Sequence, residues 1–470
     1  MKIDNICCIG AGFVGGPTMA VIALKCPKIK INVVDISQEK IDAWNGELDK
    51  LPVYEPGLAE IIAKVRDNNL FFSTDIDKAI NESQMIFMAV NTPTKTSGEG
   101  KGYAADLQYI EKSAKQIAIA SKSDKIIIEK STLPVRTAER VKEILELNKT
   151  HNINFEVLSN PEFLAEGTAI NDLFKSDRVL IGGEDTKSGK NAVRQLFKIY
   201  NRWIPKSKIL TTNVWSSELS KLVSNAMLAQ RISSINSISA ICEKTGADIE
   251  EVSQAVGLDK RIGKKFLKSS IGFGGSCFKK DILNLVYIAK SYGLNDVADY
   301  WEPVVKINNY QTLRVADKVL ESLEPNDNNS SITVLGWSFK KDTNDSRESA
   351  SIYLTERLLS KNININIYDP MVESSRIKND LENILIQNSF NESEIKNILK
   401  RVKIFDDLYN SIINVSGIVV CTEWDEFNQA NWSKIFDKMK SPKLVFDGRN
   451  ILNVSKLNKI GFKTYSIGRS

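Results

Sequence analysis

The sequence predicts an α/β protein: two doubly wound, mainly parallel sheets joined by a central helical domain that contains a long helix. Three observations carry this. Short apolar runs alternate with helical patterns through the first 212 residues and again from residue 326 onward; that alternation is the mark of a parallel sheet with helices on both faces. From Ser216 to Thr245 a helical pattern runs without Pro or Gly and ends at Gly246. Gly10-Ala11-Gly12-Phe13-Val14-Gly15 follows the first apolar run and precedes a helix, as the first turn of a Rossmann-like unit does.

Taken in order, residues 3–10 read as a buried strand, Gly15–Leu24 as a helix, and Ile31–Val34 as a second strand ending on Asp35. Strand-like runs follow at Met85–Val90, Lys125–Glu129, Glu156–Ser159 and Val179–Gly182. After Thr212 the texture turns helical, with the long pattern above and another from Tyr300 to Leu323, a combination that often builds an oligomer interface. Pro325-Asn326-Asp327-Asn328-Asn329-Ser330-Ser331 is a breaker cluster. Beyond it come Ile332–Gly336, Ile363–Tyr368 ending on Asp369, Gly417–Cys421 and Lys443–Asp447. The expected domains are therefore 1–212 (cofactor-binding, Rossmann), 213–325 (helical) and 326–470 (a second, smaller Rossmann-like domain). The loop Gly336-Trp337-Ser338-Phe339-Lys340 lacks the full glycine pattern, so the second Rossmann-like domain is not expected to hold a redox cofactor.

At 470 residues the chain is long enough for about three domains of roughly 150 residues each. It is 42% hydrophobic and 26% charged, ordinary for a globular protein. A net charge of +5 spread over this surface favours an anionic small ligand weakly, and no basic run resembles a nucleic-acid reader. No apolar run approaches the roughly 18 residues of a membrane span. Six scattered cysteines without framework spacing, and a start that runs straight into a strand, predict a reducing cytoplasmic setting. His151, the single histidine, lies in a polar turn, which argues against histidine acid–base chemistry and against a metal site.

The glycines at 10, 12 and 15 allow a tight turn and close approach to a pyrophosphate at a helix N-terminus. Asp35, at a strand end, is placed to accept from ribose hydroxyls and favours NAD over NADP, because a carboxylate repels a 2′-phosphate. Lys40 fits either a ribose contact or a solvated helix lysine. Val90-Asn91-Thr92-Pro93-Thr94 and Lys130-Ser131-Thr132-Leu133-Pro134-Val135 both follow strands, where open α/β sheets bind ligands. Glu162 and Glu166 are four apart and would share one helix face, as proton-handling groups or as a solvated acidic helix start. Lys221 and Asn225 are also four apart in a helical pattern, and together could donate to a developing oxyanion. An exposed helix lysine is the simpler alternative, weakened by the neighbouring Leu219 and Leu222.

Gly272-Phe273-Gly274-Gly275-Ser276-Cys277-Phe278-Lys279-Lys280-Asp281 is the most specific stretch. Glycines let a backbone approach a ligand, and neighbouring ammonium groups favour a thiolate. Cys7, Cys8, Cys242 and Cys421 sit in apolar runs and read as core residues; Cys277 does not. A helix starting near Ser276 would place Asp281 one turn below Cys277.

Together these segments resemble the UDP-glucose/GDP-mannose dehydrogenases, and within them the UDP-glucose 6-dehydrogenases, most of all the animal-type enzymes. Tyr54-Glu55-Pro56-Gly57-Leu58, Ala229-Gln230-Arg231-Ile232-Ser233-Ser234-Ile235-Asn236, Asp342-Thr343-Asn344-Asp345-Ser346-Arg347-Glu348-Ser349 and Phe446-Asp447-Gly448-Arg449 extend the likeness nearly end to end. The resemblance implies a four-electron oxidation of UDP-glucose by NAD. Cys277 would hold the substrate as a thiohemiacetal and then a thioester, Lys221 and Asn225 would stabilise oxyanions, and Glu162, Thr132 and Asp281 would move protons through water. By position it assigns cofactor contacts to Gly10–Gly15, Asp35, Lys40, 90–94, Ser131, Thr132, Glu166, Lys280 and Arg347. Substrate contacts fall on Glu162, Phe163, Leu164, Glu166, Lys221, Asn225, Arg261, Phe339, Lys340 and Arg449, with Lys268, Ile271, Gly272, Phe273 and Gly274 on the UDP part. Arg261 comes from a neighbouring subunit in this family, so a homodimer is the minimum expected unit, with a hexamer usual for animal-type members. Trp337 and Ser338 depart from the family's smaller or apolar residues, and Leu133 replaces the commoner valine. Three rivals are a dehydrogenase of another nucleotide sugar, such as UDP-N-acetylmannosamine or GDP-mannose, a two-electron 6-phosphogluconate-type dehydrogenase, and a non-catalytic sugar-nucleotide sensor.

Overall fold

The computed structural model describes residues 2–323 and 330–469. The boundary expected between residues 325 and 326 lies outside these residues. The chain divides into two compact units, Met1–Ser224 with Leu283–Asn295, and Asn225–Ile282 with Asp296–Ser470.

The first unit carries β1 (Asn5–Ile9), β2 (Lys30–Val34), β3 (Leu70–Ser73), β4 (Met85–Met88), β5 (Lys125–Glu129), β6 (Phe155–Ser159), β7 (Val179–Gly182) and β8 (Ile209–Thr212). They form one sheet in the order β3-β2-β1-β4-β5-β6-β7-β8. Neighbours are parallel except β6 and β7, which meet antiparallel at Ser159 and Gly182. Strand residues alternate between two cores: Ile6, Cys8, Phe87 and Ile128 enter one, and Cys7, Ile9, Met88 and Ile127 the other. Burial on both faces explains why these strands read as continuous apolar runs. Strand order reverses at β1, so the loops after β1 and β4 flank a switch-point crevice, the place where such sheets bind ligands.

In the second unit, β9 (Ser331–Leu335), β10 (Asn364–Tyr368), β11 (Val402–Phe405), β12 (Gly417–Val420), β13 (Leu444–Asp447) and β14 (Lys463–Ser466) form an all-parallel sheet. Its order, β11-β10-β9-β12-β13-β14, repeats the topology of the first six strands of the chain. The long helix spans Val214–Thr245, beginning in the first unit and continuing in the second. A helix at Asn295–Ser322 starts earlier than the pattern suggested and accommodates Pro303 in its interior. Among the described residues, no helix is long and apolar enough to cross a membrane.

Candidate active site

In the first unit, β1 delivers Gly10 to the crevice and β2 delivers Asp35. The Gly10 amide donates to Val34 O at 2.8 Å, and the Ala11 amide to Asp35 Oδ2 at 3.0 Å. A Cβ added at Gly12 would meet nothing within 4 Å, so this glycine faces open space. Lys40 Nζ donates to Asp35 Oδ2 at 2.9 Å, and the Ser37 amide to Oδ1 at 3.1 Å. Burial raises the Asp35 pKa, but hydrogen bonds from Ala11, Lys40 and Ser37 outweigh it and hold the carboxyl below its usual range. The loops after β4 and β5 are tied together: Ser131 Oγ donates to Val90 O at 2.6 Å, and Thr92 Oγ1 to Thr132 O at 3.1 Å. Asn91 is exposed, Val90, Pro93 and Thr94 are half-buried, and Leu133 is buried.

Glu162 and Glu166 do not share a helix face. Residues 161–165 have no regular structure, and the next helix begins at Ala169. Glu162 instead turns inward, accepting from the Leu164 amide at 2.9 Å and pairing with Lys221 Nζ at 2.9 Å. Both side chains are almost fully buried, 6% and 4% exposed. Lys221 comes from the long helix, where Leu222 packs inward and Leu219 is exposed. Phe163 is covered by the Arg178 guanidinium, 3.8 Å from the ring centroid. Glu166 is half-buried beside Gly167, whose amide is held by Glu55 at 2.8 Å.

Two first-unit features go beyond the sequence analysis, which placed Lys130 only in a candidate ligand loop. Lys130, at the end of β5, is buried and donates to Asn160 Oδ1 at 3.2 Å and toward Tyr200 Oη at 3.5 Å. Tyr200 also donates to Asn160 Oδ1, at 2.7 Å. Burial pushes the Lys130 ammonium down to about 8; Glu162 opposes the shift and Lys221 adds to it. A lysine closing an apolar strand was the available signal.

The second feature is a buried pair of acids, Glu129 and Glu218. Glu218 accepts from the Arg136 and Ala138 amides at 2.7 and 2.9 Å. Among the described residues no N–H donor reaches either Glu129 oxygen, so burial beside the Glu218 carboxylate favours a proton held on Glu129 and shared with Glu218. Burial first, and then the Glu218 charge, raise the Glu129 pKa; burial raises that of Glu218. Folded acids with raised pKa values hold protons that the unfolded chain has lost, so stability falls as pH rises above the ordinary glutamate pKa of about 4.3. Glu129→Gln supplies a permanent donor. Its thermal midpoint is expected to match the parent near pH 5 and exceed it by at least about 2 °C at pH 8; equal midpoints at both pH values would refute the shared proton.

In the second unit, Cys277 immediately precedes the helix Phe278–Ser291, and the Asp281 amide donates to Cys277 O at 2.9 Å. A helix N-terminus favours the thiolate. Ser276 Oγ lies 3.7 Å from Cys277 Sγ. Asp281 is buried and accepts from Asn225 Nδ2 at 2.6 Å. Lys280 Nζ is 3.7 Å from Asp281 Oδ1. Lys279 is committed elsewhere, to Glu348 Oε2 at 2.8 Å and Tyr353 Oη at 3.1 Å, so the structure assigns it to that cluster. Burial lowers the Lys279 pKa, but Glu348 and Tyr353 more than reverse this. A cavity of about 180 Å³ lies here, lined by Phe273, Gly274, Gly275, Lys279, Glu348 and Tyr353 among others. Arg449 Nη2 donates to Phe339 O at 2.7 Å, and Lys340 Nζ sits 5.7 Å from the Phe339 ring centroid. Arg347 is forked onto Asp345 at 2.6–3.0 Å. Ile271 is buried, Lys268 exposed, and Arg261 exposed and paired with Asp259 at 2.6 Å.

The second sheet repeats the first crevice, with Asp369 where the first has Asp35. Asp369 Oδ2 accepts from the Trp337 and Ser338 amides at 2.6 and 3.0 Å, and from Trp424 Nε1 at 3.2 Å. Trp337 and Ser338 stand where the first unit has Ala11 and Gly12, and both are fully buried. The departure at Trp337 is accommodated by its indole N–H, which donates to Asp380 at 3.1 Å.

Comparison with known proteins matches residues 4–204 to the NAD binding domain of the UDP-glucose/GDP-mannose dehydrogenase family. Residues 215–310 match the family's central domain, and 333–454 its UDP binding domain. The chain is 55% identical to UDP-glucose 6-dehydrogenase of Drosophila melanogaster, over 99% of this chain and 96% of that enzyme. The chain belongs to the UDP-glucose/GDP-mannose dehydrogenase family. Similarity is as high to plant relatives: UDP-glucose 6-dehydrogenase 2 of Arabidopsis thaliana is 54% identical, covering 99% of this chain and 97% of that enzyme. A UDP-glucose dehydrogenase structure from Pyrobaculum islandicum superposes with a TM-score of 0.81 at 27% identity, covering 100% of this chain and 98% of that one. As a member of this dehydrogenase family the chain is an NAD-dependent oxidoreductase. The first crevice fits that cofactor: Gly12 leaves open space at the β1 turn, and Asp35 sits at the β2 end.

Proposed function

We propose that the chain oxidises the C6 alcohol of UDP-glucose to the carboxylate of UDP-glucuronate. Bound NAD supplies the hydride acceptor, twice per substrate. Cys277 carries this reading: among the described residues it is the only cysteine that is not buried, at a helix N-terminus behind a glycine-rich loop. Relatives above 50% identity that are named for UDP-glucose support it.

Loss of one hydride and one proton from the C6 alcohol leaves an aldehyde. The Cys277 thiolate adds to its carbonyl carbon, giving a thiohemiacetal that cannot diffuse away. Loss of a second hydride turns this into a thioester, and water then releases the carboxylate and the thiol. The balance is one water consumed and three protons released per substrate. With its histidine exposed at residue 151, proton transfer would fall to Glu162, Thr132 and Asp281 acting through water. Lys221 and Asn225, each already oriented by a carboxylate, would stabilise the alkoxide-like oxygens. Phe163, Leu164, Lys268, Ile271–Gly274, Phe339, Lys340 and Arg449 would hold the nucleotide sugar, and Glu166, Lys280 and Arg347 would complete the cofactor site. Arg261, exposed in its own chain, would serve a neighbouring copy; sedimentation as a monomer would remove it from the site.

The test is the number of NADH formed per UDP-glucose consumed. Two is expected. One would make the aldehyde the product and end the covalent scheme, and turnover of another nucleotide sugar without turnover of UDP-glucose would reassign the substrate.

A further inference from the structure

The segment Ser270–Phe273 belongs to no strand, yet its backbone is held group by group. Ile271 N donates to Gly448 O at 2.7 Å. The Ser270 amide donates to Asn236 Oδ1 at 2.9 Å, from the long helix. Within the segment, the Gly272 amide donates to Ser270 Oγ at 3.3 Å, and the remaining bonds from outside it come from one helix, Asn295–Ser322. Gln311 Nε2 donates to Ser270 O at 2.8 Å, and Thr312 Oγ1 to Ile271 O at 2.9 Å. Asn308 grips Phe273 twice, accepting from its amide at 2.8 Å and donating to its carbonyl at 3.0 Å.

A helix has spent its own amides and carbonyls along its axis, so it cannot pair with an extended segment through its backbone. Positions 308, 311 and 312 lie on one helix face, and their side chains replace the missing neighbour strand. Asn308 reproduces the double bond that one residue of an antiparallel strand would make. Gly272 shows how close the approach is: at φ +138°, an added Cβ would lie 2.9 Å from Thr312 Oγ1 and 3.1 Å from Asn308 Oδ1.

All three side chains are buried, with Asn308 9%, Gln311 0% and Thr312 3% exposed. They interrupt a helix that otherwise buries Val304, Val305, Val315, Ala316 and Val319. For packing alone, apolar residues would serve at least as well, since buried polar groups must recover their desolvation cost through hydrogen bonds. What the polar face adds is direction. It sets where each peptide of the segment points.

We propose that Asn308, Gln311 and Thr312 are positioning residues that hold the 270–273 backbone in the shape that binds the nucleotide of the substrate. This rests on the reading of 268–274 as contacts to the UDP part. The polar face therefore governs affinity for the sugar nucleotide and leaves that for NAD, whose glycine turn and Asp35 lie in the first unit, unchanged.

The test uses the full chain with UDP and NAD+ as separate probes, and UDP-glucose for kinetics. Asn308→Asp keeps the size and the acceptor for the Phe273 amide, but sets a carboxylate oxygen against the Phe273 carbonyl. Thr312→Val removes one hydroxyl at constant volume and guards against misfolding of the first variant. Both are expected to raise the UDP Kd and the UDP-glucose KM, Asn308→Asp by about tenfold or more, with the NAD+ Kd within about twofold of the parent. Lys268→Ala separates the two readings. If Lys268→Ala weakens UDP binding while both helix variants leave it unchanged, the positioning role is overturned. If none of the three weakens it, the assignment of this loop to UDP fails and the inference with it. Equal loss of UDP and NAD+ affinity with a lowered thermal midpoint would mean a structural role only, and would also overturn the proposal.

Discussion

Cys277→Ala is expected to abolish UDP-glucuronate formation and to lower steady-state NADH output by at least about 10³-fold, the scale on which covalent nucleophiles fail when removed. Without the thiol, the aldehyde has no tether, and the second oxidation has no thiohemiacetal to act on. Any NADH that remains should stop at one per substrate consumed, with free aldehyde trapped by added hydroxylamine. The parent offers an independent check, because its thiols differ so widely. Burial pushes Cys8 and Cys421 up to about 12 and Cys7 well above its ordinary value, and it also raises Cys26 and Cys242. All five are buried, whereas Cys277 is half-exposed at a helix N-terminus. Iodoacetamide near neutral pH should therefore add one carboxamidomethyl group per chain, on Cys277, with loss of activity in step. An alanine variant with undiminished NADH output would favour a two-electron dehydrogenase.

The strands that sequence patterning missed share one property. They are β3, β8, β11 and β14, the two edges of each sheet. Edge strands pack less of their surface: β8 buries only Ile209, and β11 buries no residue fully. Their apolar runs are correspondingly short, and the periodic signal fades where burial fades. Central strands, buried on both faces, announced themselves as Cys-Cys-Ile or Ile-Ile-Ile runs. At the site, residue types at strand ends were readable, because the sheet brings those ends to one crevice. Pairings were not. Nothing local tells Lys221 that its carboxylate is Glu162, 59 residues earlier, or ties Lys279 to Glu348. The helical spacing of Glu162 and Glu166 misled because a buried ammonium outweighs local propensity after Pro161. The stripe at Asn308, Gln311 and Thr312 was not singled out, because polar residues at helical spacing do not reveal that they are buried.

The buried Lys221–Glu162 pair is expected to matter for stability as well as for the proposed activity. Lys221→Met keeps the length of the side chain and removes its charge, leaving Glu162 buried with the Leu164 amide as a donor. Breaking one side of a buried pair typically costs about 3–5 kcal/mol. Lys130, whose ammonium acts on Glu162 electrostatically, places the expected loss at the lower end, about 3 kcal/mol. The pH dependence identifies the cause. Without its cation, buried Glu162 favours the neutral acid, so the folded variant holds a proton that the unfolded chain has lost above about pH 4.3. Its deficit relative to the parent should be smallest near pH 5 and grow toward pH 8. A deficit that does not change with pH would point to lost packing. Adding Glu162→Gln to Lys221→Met removes the stranded charge, so the double variant should be more stable than Lys221→Met alone at pH 8. Activity should follow the opposite logic. On the proposed roles, the single and double variants both lack the ammonium that would stabilise the oxyanion, and the double variant also lacks the carboxylate that would move protons, so neither is expected to recover turnover. A double variant that regained stability and activity together would mean that the pair serves the fold and that the chemistry lies elsewhere.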